Sequence, residues 1–200
     1  MGDTKERILL TALDLFAQRG YEAVSVSDIA GALHLTKGAL YRHYESKEAI
    51  FESILARMEQ QDAQEARDHD LPKGTVETDR AAYEAASLDD IVAFSKAMFR
   101  YWTEDPFAAP FRRMLTVEQY HSPRMEGLYQ QYLAAGPMGY VTDLFRGLGL
   151  KGSERRAAEF YGPMFLLYSV YDGAEDKQAV TALLDEHFDH MKSELEGERK

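Results

Sequence analysis

The chain of 200 residues has no cysteine. Disulfides, thiolate-ligated zinc and a cysteine nucleophile are excluded at once. Long apolar runs are missing too. The longest nearly apolar stretch, 160–171, contains Gly162-Pro163 and falls short of the roughly 18–20 residues that cross a bilayer. The start, Met1-Gly2-Asp3-Thr4-Lys5-Glu6-Arg7, carries charges where a signal peptide has its apolar core. No useful period-2 alternation, internal repeat or low-complexity tract is present. These absences predict an all-helical, cytoplasmic protein with no membrane partner. Positive charge is also scarce: 23 Lys and Arg face 34 Asp and Glu, a formal net charge of −11. A uniformly acidic surface would repel nucleic acid. The deficit is not uniform, however. Residues 1–50 hold six cations and seven anions, whereas residues 51–200 hold 17 and 27.

What is present reads as amphipathic helix. Hydrophobic residues make up 45% and charged residues 28%, ordinary for a globular chain with a sizeable core. Ile8, Leu9, Ala12, Leu13, Phe16 and Ala17 recur at helical spacing. A first helix over about 4–19 would start at the Asp3/Glu6 pair and stop at Gly20. Ser25 with Asp28 predicts a second over about 27–33, and Thr36 a third over about 37–44. A long fourth starts at Ser46, with Ile50, Ile54, Leu55 and Met58 on one face. The stretch 60–86 reads as a fraying helix end plus linker. Further helices are expected over about 88–104, capped by Ser87 and Asp90, and over about 109–120. The last three cover about 122–148, 154–172 and 175–195. Breaks are expected at Gly136-Pro137 and Gly162-Pro163. This gives about nine helices.

Three short helices with an abrupt turn before the third suggest a helix-turn-helix. The third, with Lys37-Gly38-Ala39-Leu40-Tyr41-Arg42-His43-Tyr44, sets cations and hydrogen-bonding groups beside small residues that permit close approach to a groove. Residues 36–47 hold three cations and one anion. Here a resemblance becomes specific. The segment 8–50 resembles the DNA-binding domain of the tetracycline-repressor (TetR/AcrR) family of bacterial regulators. It does so through Ile8, Ala12, Leu15-Phe16, Gly20-Tyr21, Ser27-Asp28-Ile29-Ala30, Thr36-Lys37-Gly38, Leu40-Tyr41, His43-Tyr44, Ser46-Lys47-Glu48 and Ile50. The resemblance implies that Lys37, Tyr41 and Lys47 contact phosphate, while Gly38, Ala39, Arg42 and His43 face bases or sugar-phosphate edges. Thr36 would cap the helix and touch phosphate, and Ser25 or Ser27 would grip the other groove wall. In two places the chain departs from the family. His34 stands where the family usually has glycine in the turn, and tolerates positive φ better than most residues. Tyr44 stands for the usual Phe, expected to pack on the first and fourth helices with its hydroxyl at the edge.

Beyond this segment the resemblance implies an all-helical effector-binding and dimerisation domain. The expected division is therefore a helix-turn-helix domain at 1–46 and a helical ligand-binding and dimerisation domain at 47–200. Aromatic and methionine residues concentrate there, as suits an adaptable apolar pocket. Candidate effector contacts are Phe99, Trp102, Phe107, Phe111, Met114, Tyr129, Tyr132, Met164, Phe165 and Tyr168. Candidate dimer residues are Phe160, Leu167, Val180, Leu184, His187, Phe188 and Met191, on two terminal helices that the family pairs with a second copy. Glu118-x-x-His121 is half of a di-iron motif with no second half, and His187-x-x-His190 falls on the apolar stripe. Neither supports a metal, so no metal, cofactor or catalytic residue is expected. The reading is a homodimeric repressor that binds a palindromic double-stranded operator and is released by a small hydrophobic or aromatic effector. The alternatives are a constitutive DNA-binding regulator, an activator, or a helical metal-dependent enzyme.

Overall fold

The computed structural model describes residues 2–68, 71–72 and 78–198. They form eleven helices in this order: α1 Gly2–Arg19, α2 Val26–Ala32, α3 Lys37–Tyr41, α4 Lys47–Asp68, α5 Arg80–Ala85, α6 Leu88–Glu104, α7 Ala108–Glu118, α8 Pro123–Leu133, α9 Ala135–Gly147, α10 Ser153–Gly173 and α11 Lys177–Glu198. No strand occurs among the described residues. None of the described helices is long and apolar enough to cross a membrane.

The chain divides into two compact units. The first comprises Met1–Gln64 and Pro106–Tyr129. Its core is built from Ile8, Leu13 and Phe16 of α1, Ile29 of α2, Leu40 of α3, Ile50, Phe51, Ile54 and Met58 of α4, and Phe111, Met114 and Leu115 of α7. α7 packs along α1. The second unit comprises Glu65–Asp105 and Gln130–Lys200. There α10 packs on α6, α9 and α11, and α11 also packs on α6. Phe99, Leu144, Phe145, Phe160, Leu184 and Phe188 fill its interior. Three ion pairs stitch α6 to α11: Asp89–Lys192, Lys96–Asp189 and Arg100–Asp185. They reverse polarity along the seam and so fix an antiparallel register. This partition by packing cuts the chain differently from the division at 46/47 expected from the sequence.

Local chemistry accounts for most helix ends. Gly20 closes α1 at φ +83°, a conformation costly for residues with a Cβ. Ser25 and Asp28 form a reciprocal capping box at α2. Thr36 Oγ1 accepts from the Ala39 N–H, 3.1 Å away, at the start of α3. Ser87 caps α6 through the Asp90 N–H. His34 occupies the turn between α2 and α3 at φ +55°. Tyr44 is buried, and its hydroxyl reaches the Lys5 carbonyl of α1 at 3.5 Å. The expected Asp3 cap lies outside the described side chains.

Four expectations change. α3 ends at Tyr41, not near Tyr44. The stretch read as linker contains α5, anchored by the fully buried Tyr83; residues 69–70 and 73–77 of that stretch lie outside the described residues. The break expected at Gly136-Pro137 comes at Ala134, two residues earlier. Gly136 is needed there, because a Cβ would lie 2.0 Å from the Gln131 carbonyl oxygen. Finally, α10 runs unbroken through Pro163. Proline removes the bond its N–H would have given to the carbonyl of Glu159, but packing on three helices holds the axis together. The next carbonyl, that of Phe160, is met by His187 Nε2 at 3.2 Å.

Candidate nucleic-acid interface

The reading face begins with what is buried. Leu40 and Tyr44 point into the first unit and anchor α3 from one side. Thr36, Lys37, Gly38, Tyr41 and Arg42 are left exposed, with Ala39, His43 and Lys47 half-buried. Tyr41 keeps 44% of its surface open. The Lys37 ammonium sits 5.8 Å from the centre of the Tyr41 ring. The face thus offers cations, a phenol and a threonine hydroxyl around a helix backbone with small side chains. That chemistry suits a phosphate-lined groove.

Gly38 is informative because the fold does not require it. A Cβ at Gly38 would meet nothing within 4 Å. Glycine in a helix costs roughly 0.5–1 kcal/mol relative to alanine. Gly38→Ala is therefore expected to stabilise the free protein by about 0.4–1 kcal/mol. The same substitution should weaken binding to a DNA duplex, since the open space in front of the glycine is where a groove wall would come. Thermal unfolding and a binding titration read the two opposite signs. Unweakened DNA binding would show that no close approach occurs at this residue.

The other expected contacts are placed as follows. The Ser25 hydroxyl is engaged in the α2 cap: it accepts from the Asp28 N–H at 3.1 Å and donates to the Asp28 carboxylate at 2.5 Å. These bonds from Ser25, helped by Arg19, hold the Asp28 carboxyl down at about 2. The cap's contribution to stability is complete above the ordinary 3.8 and is lost only as pH falls toward that low value. Ser27 is exposed on α2. Lys47 donates to the Tyr21 carbonyl at 2.8 Å and lies over the Tyr21 ring at 4.1 Å.

That contact opens a network the sequence did not disclose. The Tyr21 N–H donates to buried Glu118 of α7 at 2.7 Å, and its hydroxyl donates to Glu48 of α4 at 2.7 Å. Burial, together with the Glu48 carboxylate, pushes the Tyr21 phenol far above its ordinary range, so it remains a donor. The Tyr21 hydrogen bond, and then Arg124, hold Glu48 below its ordinary value. Arg124 of α8 pairs with both Glu48 and Glu52. Glu118 and Tyr21 stand 97 residues apart, so no local pattern could join them.

The expected effector contacts fall into two groups. Phe99, Trp102, Tyr132, Met164, Phe165 and Tyr168 belong to the second unit, and Phe107, Phe111, Met114 and Tyr129 to the first. In the second unit Phe99 stacks on Tyr168 at 5.4 Å, and Trp102 meets Tyr132 edge-on at 6.3 Å. In the first, Phe107 stacks on Phe111 at 6.4 Å, with the Arg57 guanidinium 4.3 Å from the Phe107 ring. Of the acidic residues in the C-terminal sequence, Glu104 lies 3.5 Å from the Tyr171 hydroxyl and Asp143 pairs with Arg146.

The expected dimer residues divide as well. Phe160 and Phe188 meet at 4.6 Å inside the chain's own core, where Leu184 is also fully buried. Leu167, Val180 and Met191 are buried, and His187 is half-buried. The large apolar side chains that the same helix pair leaves open are Phe165, Leu166, Val170 and Leu183, with 40%, 63%, 44% and 56% of their surface exposed; Phe165, expected as an effector contact, is thus open to solvent. His190 pairs with Glu194, and Glu118 with His121. Among the described residues no group of three acidic or histidine side chains could hold a metal ion.

Known proteins resemble this chain in sequence at one end and in fold along nearly all of it. Residues 8–54 match the family described as "Bacterial regulatory proteins, tetR family". The HTH-type transcriptional regulator YerO of Bacillus subtilis is 44% identical over 50 residues, 25% of this chain and 17% of that protein. IcaR of Staphylococcus aureus, a negative transcriptional regulator of the biofilm operon icaADBC, is 38% identical over 48 residues, 24% of this chain and 26% of its own. These matches thus cover well under a third of either relative. A TetR/AcrR-family regulator of Aquifex aeolicus superposes with a TM-score of 0.63 at 19% identity, over 94% of this chain and 99% of that one. A gamma-butyrolactone receptor, an ArpA-like protein, gives 0.58 at 20%, over 96% and 97%. Identities this low speak to fold alone. The chain therefore carries a TetR-family helix-turn-helix segment at 8–54 and has the all-helical fold of the TetR/AcrR regulators.

Proposed function

We propose that the protein is a cytoplasmic, homodimeric transcriptional repressor that leaves a palindromic operator when a small hydrophobic or aromatic effector binds. The observation that carries DNA binding is the open row Thr36, Lys37, Gly38, Tyr41 and Arg42 on a helix anchored by Leu40. Lys37, Tyr41 and Lys47 hold phosphate, and Arg42 and His43 reach base edges. Residues 1–46 form the reading head, and residues 47–200 carry effector binding and dimerisation. Leu166, Val170 and Leu183 supply the dimer face. Two heads then engage half-sites on one DNA face, about one turn (34–36 Å) or a multiple of it apart. IcaR is named a negative regulator, which supports repression. The fold neighbour named a gamma-butyrolactone receptor supports a small-molecule effector. The aromatic stacks around Phe99 and Trp102 supply the chemistry for an apolar ligand. An effector need favour the released conformation by only about 1–3 kcal/mol per site.

Selection of bound duplexes from a random pool, with and without apolar compounds, tests this reading. A roughly palindromic sequence is expected, with affinity that falls steeply with salt and weak binding to random DNA near about 0.15 M. On the selected duplex, Lys37→Ala should weaken binding to all sequences and lower the salt slope by about one. Arg42→Ala should cost about 1–3 kcal/mol and relax the sequence preference. Unchanged affinity in both variants would refute the DNA reading. Recovery of the same duplex at the same affinity with every compound would instead favour a constitutive regulator.

A further inference from the structure

The reading head is held from outside its own sequence segment. Tyr21 follows Gly20 directly, in the loop between α1 and α2. Each of its polar groups is bound. Its N–H donates to Glu118, its carbonyl accepts from Lys47 and its hydroxyl donates to Glu48. Its ring lies 5.1 Å from both Phe16 and Phe51. Glu118 and Arg124, on α7 and α8, both lie beyond residues 8–54.

Glu118 is 2% exposed. A buried carboxylate is costly unless its oxygens are satisfied. Here one oxygen accepts from the Tyr21 N–H at 2.7 Å and the other lies 3.2 Å from His121 Nδ1. The loop is shaped around it: a Cβ on Gly20 would sit 2.7 Å from the same carboxylate oxygen. Bonds to a charged partner are shorter and about twice as strong as neutral ones. Tyr21 is gripped by two of them on its backbone, from Glu118 on one side and Lys47 on the other. Lys47 has three N–H donors and uses one on Tyr21, which sets where its ammonium stands. Arg124 closes the circuit: it pairs with Glu48, which accepts from the Tyr21 hydroxyl, and it lies 5.2 Å from the centre of the Phe51 ring.

We propose that Glu118 and Arg124 are positioning residues for DNA binding: acting through Tyr21 and Glu48, they hold the ammonium of Lys47, in the first turn of α4, where a phosphate can meet it. The proposal rests on the reading of Lys47 as a phosphate contact. It makes α7 and the start of α8 part of the DNA-reading unit, although neither touches DNA.

The test is a double-mutant cycle in the full chain, using a duplex selected by the wild-type protein from a random pool. Glu118→Ala is expected to weaken binding about tenfold and to lower the salt slope by about one, as Lys47→Ala does. The Glu118→Ala/Lys47→Ala double variant should bind no more weakly than Lys47→Ala alone, since both act through one ammonium. Glu118→Gln, whose amide oxygen still accepts the Tyr21 N–H, should restore most of the affinity. Losses that multiply in the double variant, or a folded Glu118→Ala with wild-type affinity and slope, would overturn the proposal. Should Glu118→Ala not fold, Arg124→Ala carries the same cycle on an exposed pair, with the same two outcomes. Lys37→Ala separates this proposal from the DNA reading. If Lys37→Ala loses affinity while Lys47→Ala does not, DNA binding stands and positioning through Lys47 falls. If neither loses affinity, the DNA reading itself falls.

Discussion

Replacing Leu166 and Leu183 together by glutamate is expected to yield a folded monomer with operator affinity lowered by about 10²–10⁴-fold. The two leucines are the most open of the large aliphatic side chains on α10 and α11. An exposed apolar patch on a soluble protein marks an interaction site. Val170 stands four residues from Leu166 on α10, one turn along the same helix face. Two charges on each face of a symmetric contact are doubled by the two-fold axis and left without water, so the effect on association is severe. Each head should still bind a half-site, but the gain from tethering two heads disappears. Light scattering or sedimentation reads the mass, and titration of half-site and full-site duplexes reads the loss. The variant should keep its helicity and lose only the concentration-dependent part of its thermal stability. A double-glutamate variant that sediments as a dimer and binds the full site normally would remove this face from consideration.

Phe188→Ala is expected to do the opposite, unfolding the chain before it separates subunits. The Phe188 ring is fully buried and meets Phe160 at 4.6 Å, with Phe145 5.4 Å from Phe160. Removing a buried phenyl ring costs about 3–5 kcal/mol, out of a total stability of about 5–15. In a chain of this size, the midpoint should fall by roughly 6–20 °C. Thermal or urea unfolding at fixed protein concentration measures it. A normal midpoint together with loss of the dimer would assign Phe188 to the subunit interface instead. The two variants would therefore separate the residues of α10 and α11 that build the chain's own core from those proposed to meet a second copy.

This division shows how far the sequence could be read. Helical spacing identifies α1, α6 and α11 because one apolar face repeats every three or four residues whatever it packs against. The caps at Ser25, Thr36 and Ser87 are equally legible, since a cap is a contact between residues three apart. The turn at His34 follows from the same kind of local chemistry. α5 is not legible, because six residues with one aromatic carry no periodicity, and Tyr83 identifies itself only by the helix that covers it. α9 approaches so closely at Gly147 that a Cβ there would lie 2.8 Å from the Tyr83 side chain. The continuity of α10 through Pro163 is likewise a tertiary outcome, where packing on three neighbours outweighs one lost hydrogen bond.

By itself, then, the sequence determined the helical class, the caps, the turn before α3 and the cationic segment 36–47 within an acidic chain. Each depends on residues within a few positions of one another. Only the tertiary structure decided which apolar residues close the chain's own core and which remain open. Periodicity reports that a face is apolar, never what covers it. The structure likewise decided that Glu118, read in sequence as half a metal motif, binds the loop at Tyr21 from 97 residues away. A buried carboxylate selects its partner by position in space, and chain folding alone brings α7 onto α1.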